Sequence, residues 1–155
     1  MKTITLIFSL MIITGLWTES KAQDDCSVMY FSKTISGNFE EVTREVIAEF
    51  KSAGFGVITE INMDQVLQDK LEGVSMNPYK ILGVCNPGYA YEAIRVNPNA
   101  GVLLPCKVII KQLEEDKIEV VALNPVMVMK MFDNKELDTL AKEVAQKMRS
   151  AIEGI

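Results

Sequence analysis

The feature that most constrains the fold is the change in apolar period along the chain. Apolar residues recur at helical steps of three and four after Asn38 and again after Asn134, and strand-like runs lie between. This order, βαβ(α)βαββα, predicts an α+β two-layer sandwich with helices on one face of a five-stranded mixed sheet. The strands are predicted at 28–36, 55–62, 79–85, 102–111 and 118–123, and the helices at 39–54, 64–73, 87–96 and 134–152.

Proline and asparagine mark the predicted ends of these elements. Asn86 and Pro87 together form a strong helix start, since asparagine caps the first turn and proline lacks an N–H that would be unpaired there. Pro105 falls inside the fourth predicted strand, and because it cannot donate to a strand ladder we expect that strand at an edge or with a bulge.

Residues 1–22 have the pattern of a secretory signal peptide. Lys2 precedes the apolar run Ile4–Trp17, and small residues surround Lys21 at a cleavage site after Ala22. The run is shorter than the roughly 20 residues that span a bilayer, so we expect no stable membrane anchor after cleavage. We therefore predict a secreted protein, most simply in a bacterial periplasm, with a tail at 23–27 and a single domain at 28–155.

Composition excludes several classes of function. The sequence contains no histidine, which removes histidine-dependent nucleophiles and imidazole metal sites. The net charge of −5 provides no basic surface for nucleic acid. We expect no cofactor and favour a role without catalysis, leaving the possibility of enzymatic activity open.

Three stretches resemble the domain of unknown function 302 family. They are the segment 81–87 with its Cys-Asn-Pro motif, the segment 103–108 with its Leu-Pro-Cys motif, and Asn124-Pro125 with the last predicted helix. That family usually has aspartate where this chain has Asn124. The resemblance implies a compact α+β domain, observed as dimers, with no established activity, so we expect a homodimer.

Cys85 and Cys106 are the main candidates for chemistry. Cys85 directly precedes a predicted helix start, where unpaired N–H groups would stabilise a thiolate and lower its pKa. Cys106 would be its resolving or co-ligand partner if the two strands are adjacent. The alternative is that both thiols are packed in the core, as free cysteines often are. Whether they form a disulfide, and what Cys26 does, the sequence leaves open.

Tyrosines lie close in sequence to the Cys-Asn-Pro turn, and Lys107 is the neighbour of Cys106. Tyr79, Tyr89 and Tyr91 cluster near Cys85 in the sequence, and the last two are placed to border a pocket. We predict a site for a small ligand or a thiol partner. Its predicted binding residues are Asn86, Pro87, Tyr89, Tyr91 and Lys107.

A methionine run offers a separate interpretation. Met127, Met129 and Met131 alternate, and in an extended segment their thioethers would face one side and suit Cu(I). Pro125 and Asn134 favour a helical turn instead, and methionine commonly fills cores. Three functions therefore remain: a thiol-bearing or ligand-binding accessory domain, an interaction module that dimerises without chemistry, and a soft-metal-binding protein.

Overall fold

The structure is a computed structural model that describes residues 28–155. The predicted signal peptide, the tail at 23–27 and Cys26 lie outside these residues. Within 28–155, no helix combines the length and the apolar character needed to cross a bilayer.

The α+β class and the predicted order of elements are confirmed. A short helix, α4, is added after the last strand. The strands are β1 (Tyr30–Ser36), β2 (Gly56–Asn62), β3 (Tyr79–Cys85), β4 (Cys106–Glu114) and β5 (Lys117–Leu123). The helices are α1 (Phe39–Ser52), α2 (Met63–Lys70), α3 (Pro87–Val96), α4 (Pro125–Met129) and α5 (Lys135–Gly154).

The sheet is antiparallel throughout, so the prediction of a mixed sheet is wrong. Its order is β1-β5-β4-β3-β2, and each neighbouring pair runs antiparallel. A helix between two strands often joins two neighbouring parallel strands, but in this sheet the helical connections do not. The one through α1 carries the chain from one edge strand to the other, and the one through α3 returns to the end of the sheet that it left, where Val84 pairs with Cys106.

The fourth strand begins later than predicted, and it is central rather than at an edge. Residues Pro98–Leu103 form a 3-10 helix capped by Asn97, whose side chain accepts from the Asn99 N–H. Pro105 therefore precedes β4 and interrupts no ladder bond. The expectation that Pro105 places this strand at an edge or introduces a bulge is therefore wrong. The register shift in β4 lies at its other end, near Gln112.

One face of the sheet is covered by α1, α4 and α5. Alternate residues of the strands point to this face, and each large apolar side chain buried there contributes about 1.5–3 kcal/mol. The buried strand residues include Phe31, Leu82, Val84, Val108, Ile110, Ile118 and Val120, and the helices contribute Val46, Phe50, Val126, Met129, Met148 and Ile152.

Asn124 joins the sheet to α4. It is fully buried, its side-chain oxygen accepts from the Val126 N–H, and its amide nitrogen donates to the Val28 carbonyl at 2.8 Å. An aspartate would supply the first bond but has no hydrogen to donate in the second. The asparagine thus suits a position that fastens the chain before β1 to the end of β5.

Candidate functional site

A small apolar cavity lies where β3 ends and β4 begins, under α3, α4 and α5. Its volume is about 40 Å³. Pockets for organic ligands usually measure about 300–1,000 Å³, so this one holds only a few atoms. Apolar side chains that line it include Phe55, Val84, Leu104, Leu137 and Val144.

Cys106, the first residue of β4, lines this cavity and carries a free thiol. It pairs with Val84, whose side chain is fully buried in the core. Desolvation raises the pKa of Cys106 to about 11, helped by the negative charge that Cys85 would carry and opposed by Lys107. This thiol is therefore protonated at neutral pH.

Cys85, the last residue of β3, also lines the cavity and is half-buried, and its pKa is raised by burial. The prediction that the start of α3 lowers this pKa is wrong. The reason is that the donors at the start of α3 are already used. Pro87 has none, and Asn86 accepts from the N–H groups of Gly88 and Tyr89 through its side chain. With these N–H groups of the first turn engaged, desolvation decides the direction of the pKa shift.

Asn86 confirms its predicted role as a helix cap and adds a long-range bond. Its amide nitrogen donates to the Gly54 carbonyl at 2.8 Å, which ties the start of α3 to the turn after α1. All the side-chain bonds of Asn86 are thus made within the protein, so it positions α3 beside the cavity. Pro87 is the first residue of α3, and it is exposed and does not line the cavity.

The two tyrosines of α3 have different surroundings. Tyr89 is half-buried, lines the cavity and hydrogen-bonds to Glu143 of α5; burial and this carboxylate raise the pKa of its hydroxyl. Tyr91 is 67% exposed and borders a shallow surface depression instead. Tyr79, at the other end of β3, does not join them. The predicted cluster therefore reduces to one tyrosine at the cavity.

Lys107 lies apart from the cavity lining. Its ammonium group is exposed and donates to the Pro105 carbonyl at 2.8 Å. Of the predicted site residues, the structure thus brings together Cys85, Asn86, Tyr89 and Cys106, and leaves Pro87, Tyr91 and Lys107 outside the lining.

The methionine run is helical, so its sulfurs do not form the one-sided array of an extended strand. Met129 is buried and lines the cavity, Met127 is half-buried, and Met131 is 83% exposed. The structure therefore places one of the three thioethers with the two cysteines. This grouping is not visible in the sequence, because it forms only when α4 docks against the sheet. Pro125 as a helix start is a local signal for α4.

These features define an α+β domain with an apolar cavity, lined in part by Cys85, Cys106 and Met129, at one end of its sheet. Residues 31–155 match the family described as Domain of unknown function DUF302. The chain belongs to this family, as its Cys-Asn-Pro and Leu-Pro-Cys motifs indicate.

A solved structure is similar over most of the domain. It is the crystal structure of an uncharacterized conserved protein DUF302 from Bacillus stearothermophilus, with a TM-score of 0.75 and 25% identity. The similarity covers 83% of this chain and 98% of that one. No curated protein matches this chain significantly.

Proposed function

We propose that this protein is a secreted, thiol-bearing binding domain that holds a small ligand at Cys85 and Cys106. The observation that carries the proposal is that both cysteines line one apolar cavity at the end of β3 and the start of β4. The pattern of residues 1–22 supports export to the periplasm.

The state of the thiols favours binding over nucleophilic attack. With a pKa of about 11, Cys106 is ionised in about one molecule in ten thousand at pH 7. Thiolates, not thiols, attack disulfides and electrophiles, so neither cysteine is activated for such a reaction. A ligand that displaces the proton, or that prefers a soft and water-free environment, suits this site.

Tyr89 lies between the cavity and the surface. It borders the cavity on one side and, with Glu143 and Lys147, a polar groove of about 400 Å³ on the other. Rotation of the tyrosine away from Glu143 would connect the two spaces. We propose this as the route by which a ligand reaches the cysteines.

Native mass spectrometry of the protein recovered from its own host tests the proposal. We expect a noncovalent mass excess over the polypeptide, and we expect its loss in the double variant Cys85→Ser/Cys106→Ser. Tyr91→Phe is the matched control, since Tyr91 is exposed outside the cavity. A wild-type protein that carries no excess, or a double variant that keeps the same excess, would contradict the proposal.

The interaction module remains a second candidate because of the other face of the sheet. Ile81, Ile109 and Val121 are register partners across β3, β4 and β5, and each is half-exposed. Ile61 of β2 extends this row and is 39% exposed. We name these four residues the isoleucine row. A continuous apolar surface of this kind is typical of a protein contact.

A further inference from the structure

We infer that the ligand of the cavity is a single soft monovalent metal ion of the Cu(I) class, bound by the sulfurs of Cys85, Cys106 and Met129. This inference rests on the proposed function and names the class of ligand for the same site. The observation that carries it is that three sulfur-containing residues, one each from β3, β4 and α4, line the same cavity.

The donor set is soft and lacks hard ligands. Sulfur ligands of this kind suit Cu(I), zinc and iron–sulfur clusters rather than hard cations. The Asn86 side chain, which also borders the cavity, is engaged with Gly54 and the first turn of α3. Within residues 28–155, no group of three His, Cys, Asp or Glu residues could hold a metal ion. The thioether of Met129 is therefore what completes a three-sulfur set, and it favours a monovalent soft ion over zinc.

The volume and polarity of the cavity suit one dehydrated ion. Its volume is about 40 Å³, which is room for about three waters at about 10–15 Å³ each, so it admits an ion and is too small for an organic molecule. The remaining lining is largely aliphatic and aromatic, with Ala93, Leu104 and Val144 among its members. A hydrated hard cation would lose its water there without replacement by oxygen ligands, whereas Cu(I) exchanges water for sulfur.

Binding balances without a redox step. Each bond from copper to a cysteine sulfur replaces one S–H bond and releases one proton to solvent. Met129 contributes a lone pair and no proton, and copper remains Cu(I) throughout. Full ligation by both cysteines therefore releases two protons per ion, and it leaves the site with one net negative charge.

An anaerobic titration of the reduced protein with Cu(I)-bicinchoninate tests the inference. We expect the wild-type protein to remove one Cu(I) per chain from the chelator, with two protons released in an unbuffered parallel titration. Cys106→Ser should weaken binding by at least a hundredfold. Met129→Leu, which nearly conserves volume, should weaken it at least tenfold. Met131→Leu should leave it unchanged, because that side chain is exposed.

Two results would overturn the inference. One is a wild-type protein that leaves all Cu(I) with the chelator; the other is a Met129→Leu protein that binds Cu(I) as tightly as the wild type. Circular dichroism of each variant shows whether it is folded, and Cys85→Ser provides a second cysteine variant if Cys106→Ser does not fold. A cysteine-dependent mass excess that is not a metal would keep the proposed function and exclude this ligand.

Discussion

At the scale of single residues, the cavity shows how one side chain changes the chemistry of another. Asn86 and Pro87 were predicted correctly as a helix start from the sequence. Their effect on Cys85 was not, because it depends on which N–H groups the cap leaves free. Sequence patterns identify a helix N-terminus, but only the structure shows that Asn86 already accepts from Gly88 and Tyr89.

The half-buried, desolvated thiol of Cys106 should make stability fall at alkaline pH. Its pKa is raised from 9.0 to about 11, so the folded state favours the neutral thiol. The resulting stability is fully present below about pH 9 and is lost as pH rises through 11. Relative to Cys106→Ala, the wild-type free energy of unfolding should fall by about 2 kcal/mol more between pH 8 and pH 11.

Urea unfolding monitored by circular dichroism at a series of pH values measures this difference. The comparison removes the contribution of tyrosines and lysines to the pH dependence of stability, because both proteins contain the same ones. Parallel pH profiles for the wild type and Cys106→Ala would show that the thiol is not desolvated in the folded protein.

At the scale of elements, periodicity predicted which segments are strands and helices but not how they connect. Val108, Ile110, Ile118 and Val120 are fully buried, so alternate residues of the two predicted strands form the inward face. The relative directions of the strands could not be predicted. A connecting helix of ten residues can either cross over to a parallel strand or return the chain to the end of the sheet that it left. The start of β4 was misplaced because Val102–Leu104 reads as a strand, while Asn97 and Pro98 start a 3-10 helix there.

Gly83 allows β3 to pack closely against its surroundings. A Cβ at this position would lie 2.2 Å from Thr59 Oγ1 and 2.5 Å from Pro105 Cγ. Both distances are shorter than any real Cβ contact, and the proline ring cannot rotate away. Gly83→Ala should therefore destabilise the protein by about 1–3 kcal/mol, as overpacking in a core does.

Thermal unfolding with Gly101→Ala as the control tests this packing. A Cβ at Gly101 would meet nothing within 4 Å, so that variant should unfold near the wild-type temperature. The double variant Gly83→Ala/Thr59→Ala should recover part of the loss, since it removes the closer contact. If Gly83→Ala is as stable as Gly101→Ala, Pro105 and Thr59 do not confine this position.

At the scale of the whole molecule, the two faces of the sheet differ in what covers them. The inner face packs on α1, α4 and α5, while the isoleucine row on the other face is only half-buried. Successive side chains of each strand point to opposite faces of the sheet. The sequence alone does not show that register aligns Ile81, Ile109 and Val121 into one row, because register depends on the strand order.

The isoleucine row predicts a dimer that a single charge disrupts. We expect the wild-type protein to sediment as a dimer at micromolar concentration, and Ile109→Lys to sediment as a monomer because it buries an unpaired charge in the contact. Val102→Lys is the matched control: Val102 is 79% exposed and lies outside the sheet, so this variant should remain dimeric. A monomeric wild type, or a dimeric Ile109→Lys, would exclude this surface.

The walls of the cavity come from segments that extend from Phe55 to Val144. Such a space exists only after the sheet and α5 have assembled, so an occupant that binds the unfolded chain less tightly stabilises the native state, and it does so most fully when it does not bind the unfolded chain at all. Occupancy and folding are thus linked equilibria. At a free concentration of about 100 times its dissociation constant, an occupant would add about 2.7 kcal/mol to the free energy of unfolding. The melting temperature of the domain therefore reports how fully the cavity is occupied.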